Sequence, residues 1–189
     1  MRALRPRGGG MSPIVRKRTW GFVLAAAVFL LDQGVKWLMV GPLQLERRGV
    51  IELLPFFDLR WTENHGISLG LLTAETLEMR LFLLAATGLI SLVVVIWMLR
   101  ERLFGDIAAL GMILGGALGN IMDRRQYGYV IDYADLHFGE FRPFLIFNIA
   151  DAAITIGVVL LLARSFLLRD KRDEIGPADE QSRAVTETH

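Results

Sequence analysis

Four long apolar stretches organise the chain, at about residues 19–40, 80–99, 105–123 and 147–168. Each approaches the roughly 20 residues that an α-helix needs to cross a hydrocarbon core. The spacing therefore predicts four transmembrane helices. Between the first two, the rhythm changes: Val50, Ile51, Leu53, Leu54, Phe56, Phe57, Leu59 and Trp61 are interleaved with polar residues and interrupted by Pro55. That pattern predicts short strands and a small sheet. The expected fold class is an all-α membrane protein with four transmembrane helices and a small sheet between the first two. A basic tail over 1–18 precedes the membrane domain at 19–168, and a charged tail over 169–189, expected to be disordered, follows it.

Composition supports the membrane class, because 53% hydrophobic residues in a 189-residue chain exceeds the usage of ordinary soluble domains. The net charge of +1 hides an uneven distribution. Arg2, Arg5, Arg7, Arg16, Lys17 and Arg18 crowd the start, Arg100 and Arg102 lie between the second and third spans, and Arg164, Arg169, Lys171 and Arg172 mark the end of the last. With four crossings these all fall on one side, which the positive-inside rule assigns to the cytoplasm. Both termini are then cytoplasmic and the sheet extracytoplasmic. Clustering of this kind concerns topology, and no nucleic-acid partner is expected. The run from Trp20 to Leu31 behind a basic start has the outline of a secretory signal peptide. It continues through Asp32 and Lys36 to Val40 with no convincing small-residue cleavage site, and three more spans follow, so it is expected to remain as the first helix. Absence of cysteine excludes disulfides and thiolate chemistry, and His65, His137 and His189 have no metal-ligand spacing. Neither a metal nor a cofactor is expected.

Polar residues inside or beside the spans carry the chemical information, since an ionised group near a helix centre costs about 2.5–3.5 kcal/mol on insertion scales. Asp32 and Lys36 are spaced i, i+4 and share a helix face, which suits a salt bridge whether or not it serves a site. Near the end of the third span, Asn120, Asp123 and Arg124 share a face behind Gly115, Gly116 and Gly119. The glycines permit close helix packing; the polar trio reads either as an interfacial anchor or as a brace for a nearby site. Asp132 lies in the loop that returns to the fourth span, and Asp151 sits early in that span with Asn148 one turn before it. Alone, Asp151 reads equally as a partner of the helix dipole. Together, two carboxylates at one membrane surface permit an aspartic-protease arrangement, in which one proton is shared between like charges. A proton or ion relay, or a scaffold joined by polar contacts, remains open on these residues alone.

The fragments Asp32-Gln33-x-x-Lys36, Asn64-x-Gly66, Gly119-Asn120-x-x-Asp123-Arg124, Val130-x-Asp132-Tyr133 and Phe147-Asn148-x-Ala150-Asp151 resemble, in order and topology, the lipoprotein signal peptidase family, also called signal peptidase II. The resemblance covers residues 19–168. It implies a monomeric, multi-pass enzyme of the bacterial cytoplasmic (inner) membrane, active near the outer face and in contact with membrane lipids. Asp132 and Asp151 would be its catalytic dyad. Asp32, Lys36, Asn64, Asn120, Asp123, Arg124 and Asn148 would line or support the site. The implied substrates are diacylglyceryl-modified prolipoproteins, cut before the modified cysteine. Two departures stand out: Ile67, Ser68 and Leu69 follow Gly66 where alanine and phenylalanine are usual, and Tyr133 replaces phenylalanine beside the expected catalytic Asp132. Ionisable residues gathered near the helix ends, instead of spread through the bilayer depth, favour this enzyme over a relay, and a scaffold would not require Asp132.

Overall fold

The computed structural model describes residues 12–66 and 77–175, the last stretch beyond Leu167 as backbone only. Ile67, Ser68 and Leu69, and most of both tails, lie outside the described residues. Helix α1 spans Pro13–Val40, a short α2 covers Leu45–Arg48, and strands β1 (Val50–Leu54) and β2 (Phe57–Asn64) follow. Helices α3 (Leu77–Arg100) and α4 (Phe104–Gln126) precede strand β3 (Val130–Leu136), and α5 runs over Ile149–Ile175. Four of these helices are long and apolar enough to cross a bilayer: α1, α3, α4 and, over Ile149–Leu167, α5. The protein is thus mostly helical with a small sheet.

Helix ends differ from the hydropathy boundaries for local reasons. α1 begins at Pro13, before the predicted residue 19, because Ser12 caps it: its hydroxyl accepts the Val15 N–H at 3.4 Å and Pro13 takes the first helical position. α5 starts at Ile149, after the predicted 147, because Asn148 is its cap. Its backbone stays helical through Ile175, into the segment predicted as a tail.

α4 is the centre of the bundle. Its apolar window is 56% buried, against 22% or less for the other three. Small residues allow this position: a Cβ on Gly115 would press on the Ala25 carbonyl of α1, and one on Gly116 on the Ala150 carbonyl of α5. The backbones of both neighbours therefore touch α4 on two sides. α3 joins through Val94 and Met98, which pack with Ala25, Ile107, Leu110 and Leu114. Outward faces carry exposed Leu30, Trp37, Phe82, Leu89, Leu162 and Phe166, as suits surfaces that meet lipid.

The α3–α4 turn and the start of α1 share one end of the bundle. There, Lys17 and Arg18 donate to the carbonyls of Arg102 and Glu101 at 3.3 and 3.4 Å. Arg164 of α5 binds Asp106 of α4 at 2.6 Å near that same end. The sheet lies at the other end, antiparallel throughout in the order β1-β2-β3. Its third strand corrects the expectation that Asp132 sits in a loop. Val130 to Ala134 and Asp135 are all buried, so this strand lacks the alternation by which β1 and β2 are readable. Met39, Leu45, Leu59, Ile131 and Tyr133 form the core beneath it, seating the sheet on the end of α1.

Candidate active site

Asp151 owes its position to helix capping. Asn148 Oδ1 accepts the Asp151 N–H at 2.9 Å, while Asp151 Oδ2 lies 3.4 Å from the Asn148 N–H as its acceptor. This reciprocal pair has the logic of a capping box and satisfies donors that the first helical turn leaves without partners. A third donor, the Ala150 N–H, goes to Asp32 Oδ1 of α1 at 3.0 Å. The N-terminus of α5 is thereby fixed to α1.

Asp132 is brought to the same point by β3. Its register opposite Thr62 places Asn64 of β2 alongside, and Asn64 Nδ2 donates to Asp132 Oδ2 at 3.0 Å. Asn148 Nδ2 donates to Asp132 Oδ1 at 2.6 Å and also reaches the Ile131 carbonyl at 3.3 Å. One asparagine side chain therefore contacts both aspartates, through Nδ2 on Asp132 and Oδ1 on the Asp151 backbone. Asn120 of α4 completes the set by donating to Asp151 Oδ1 at 2.8 Å. Burial pushes the Asp132 carboxyl up to about 7, and the neighbouring Asp151 charge adds to the rise against the donors Asn64 and Asn148.

Beneath the pair lies a buried charged cluster. Lys36 Nζ is 2.9 Å from Asp32 Oδ2 and 2.7 Å from Asp123 Oδ2, and it donates to Asn120 Oδ1 at 3.4 Å. Asp123 also accepts the Ile131 N–H at 3.1 Å and Gln33 Nε2 at 3.0 Å. The cluster thus ties α1, α4, β3 and the start of α5 together around one ammonium. Gly119 makes the approach possible, because a Cβ there would meet Asp32 Oδ2 at 2.5 Å. Arg124 stands apart: its guanidinium faces the charges of Asp151, Asp123 and Asp132, and its buried Nε has no hydrogen-bond partner among the described residues.

The nine residues singled out in the sequence converge on this one region, eight of them in a single hydrogen-bonded network and Arg124 beside it. Two contributors were not among those nine. Gln33 stands in the first motif fragment and bridges Asp32, Asp123 and the Gly119 carbonyl. Arg80 of α3 donates to the carbonyls of Arg124 and Arg125 at 2.8 and 2.6 Å, neutralising the C-terminal end of α4. Its place in the first turns of a lipid-crossing helix, where a charge needs a partner, is a signal the sequence did contain.

Comparison with known proteins places the chain in a family. The family model described as "Signal peptidase (SPase) II" matches residues 24–167. A lipoprotein signal peptidase of Sphingopyxis alaskensis is 55% identical over 160 residues, 85% of this chain and 91% of that protein. One from Rhizorhabdus wittichii is 52% identical over 155 residues, 82% of this chain and 90% of its own. A bacterial membrane enzyme solved by the in meso method at 2.3 Å resolution superposes with a TM-score of 0.69 at 27% identity, covering 84% of this chain and 93% of that one. With four candidate spanning helices and a match that runs from α1 into α5, the chain belongs to the signal peptidase II family of membrane peptidases.

Proposed function

We propose that the chain is an intramembrane aspartyl endopeptidase that cleaves prolipoproteins before their diacylglyceryl-modified cysteine, with Asp132 and Asp151 as the dyad. The observation that carries this reading is the single Asn148 side chain in contact with both aspartates. Burial raises Asp132 to about 7 and the neighbouring Asp151 charge adds to the rise, which fits a pair of like charges holding one proton near neutrality. The ionised member takes a proton from water as its oxygen attacks the scissile carbonyl, and the protonated member donates to the carbonyl oxygen. Collapse of the tetrahedral intermediate returns a proton to the departing nitrogen, which becomes the amino group of the lipidated cysteine. Arg124, with its unsatisfied Nε, is suited to stabilise charge on that oxygen.

The same reading assigns the membrane sides and the oligomeric state. Lys17, Arg18, Arg100 and Arg102 gather at the end opposite the dyad, so that end and both termini face the cytoplasm while the sheet and site face outward in a bacterial inner membrane. The chain acts as a monomer.

Purified protein in detergent, given a prolipoprotein with a diacylglyceryl-cysteine, should release the signal peptide and shift the substrate on a gel. The unmodified precursor should remain intact. Failure of the folded protein to cut either one would remove the reading.

The shared proton also sets a pH dependence. kcat/KM should fall as pH rises through about 7, where Asp132 loses its proton and the dyad its acid. Stability follows the same direction. A carboxyl raised from 3.8 to about 7 in the folded chain contributes stability that is fully present below 3.8 and lost as pH rises through about 7. A rate profile with no alkaline limb between pH 6 and pH 8, a window of about one unit on each side of that value, would contradict the shared proton.

A further inference from the structure

The far end of the sheet from Asn64 carries an apolar rim that neither the spanning helices nor the site explains. Leu54 and Phe56, at the β1–β2 turn, are 50% and 45% exposed, and in the loop after β3 Phe138, Phe141, Phe144 and Leu145 are 59%, 65%, 62% and 86% exposed. The two segments form one surface. His137 N–H donates to the Phe56 carbonyl at 3.0 Å, and Phe138 and Phe141 pair their backbones at 2.8 and 3.2 Å. We propose that this rim is a membrane anchor that dips into the bilayer leaflet on the dyad's side, with Arg60 and Arg142 at the level of the lipid phosphates.

Position supports a bilayer as the occupant. Leu145 precedes Ile149, the first residue of the last span, by four residues. At no more than about 3.6 Å per residue, the rim's final segment stays within roughly 14 Å of the point where the chain enters lipid. The rim's final segment therefore lies close to the start of the last spanning helix. Its chemistry fits as well: aromatic and aliphatic side chains beside arginines are the composition of interfacial anchors. A buried carboxylate keeps those arginines in place. Asp135, with no exposed surface, binds Arg60 Nε at 2.9 Å and Arg142 Nε at 3.2 Å, while the two arginine side chains remain 37% and 41% exposed. Two arginines share that one carboxylate, so beside the apolar rim, where Asp58 is taken up by His137 and Glu140 is exposed, their half-exposed guanidinium groups are placed to meet lipid phosphate. An apolar patch of this kind held against water would be costly, and burial in lipid removes the cost.

The inference needs only that α5 enters the bilayer at Ile149, not the dyad. Because the chain has no cysteine, single labels report single positions. Phe141→Cys and Leu145→Cys, each carrying an environment-sensitive fluorophore, would be reconstituted in vesicles of phosphatidylcholine and phosphatidylglycerol. Glu52→Cys, at an exposed polar site on β1, supplies the aqueous reference. Brominated acyl chains should quench the rim labels several-fold more than the Glu52 label, and aqueous iodide should do the reverse. Iodide quenching of the rim labels equal to that of the reference would overturn the proposal. So would rim labels that stay open to water until prolipoprotein is added, which would assign the surface to substrate docking.

Discussion

Asp132→Asn and Asp151→Asn should each lower turnover by about 10³-fold or more while leaving the protein folded and inserted. Asparagine keeps the shape of the carboxylate and removes its ability to take or give a proton. At Asp132 it also removes a charge whose burial the fold resists, as the rise to about 7 records, so the loss of hydrogen bonds from Asn64 and Asn148 is offset in part by cheaper burial. At Asp151 the amide oxygen can still accept from Asn120 or from the Asn148 N–H, though not from both as a carboxylate does. Because the two groups act on one water as a unit, the double variant should be no slower than either single one. Gel-shift rates on the lipidated precursor, beside thermal unfolding of each variant in detergent, separate chemistry from folding. Near-parental turnover by either folded single variant would end the dyad reading, and additive losses in the double variant would mean that the two residues act on separate steps.

Much of this architecture was legible because a bilayer imposes a simple rule. The four spans follow from hydropathy, since lipid demands about 20 apolar residues per helix whatever their neighbours are. Polar residues within those spans were informative for the same reason: Asp32, Lys36, Asn120 and Asp123 are costly in lipid, so their meeting in one cluster was the natural solution. Asn148 and Asp151 were readable as neighbours at i, i+3, although their actual relation is a reciprocal cap instead of two side chains on one face. β3 was not legible, because a strand covered on both faces shows no alternation. Nor was the Arg60–Asp135–Arg142 clamp, whose outer members meet only through sheet register and the return of a loop. Contacts set by tertiary geometry leave little periodic trace in one sequence.

Lys36→Met should strongly destabilise the chain. The lysine side chain is 3% exposed, and its two partners, Asp32 and Asp123, are exposed by 0% and 1%. Methionine fills much of the same volume but supplies no charge and no donor, so two buried carboxylates lose their cation at once. Breaking a buried ion pair from one side costs about 3–5 kcal/mol, a large part of the roughly 5–15 kcal/mol that holds a typical domain folded. Asp32 is also the acceptor for the Ala150 N–H, and Asp123 for the Ile131 N–H, so disorder in this cluster moves both α5 and β3. Activity should fall through misplacement of the dyad, with the loss tracking the lowered unfolding midpoint. Restoring neutrality separates this from a chemical role: in the triple variant Lys36→Met, Asp32→Asn, Asp123→Asn, each asparagine still offers an oxygen to its backbone N–H and the cluster carries no charge. That variant should recover most of the stability and a measurable part of the cleavage. If instead Lys36→Met unfolds at the parental temperature yet cuts nothing, the ammonium acts on the reacting groups themselves and belongs with Asp132 and Asp151.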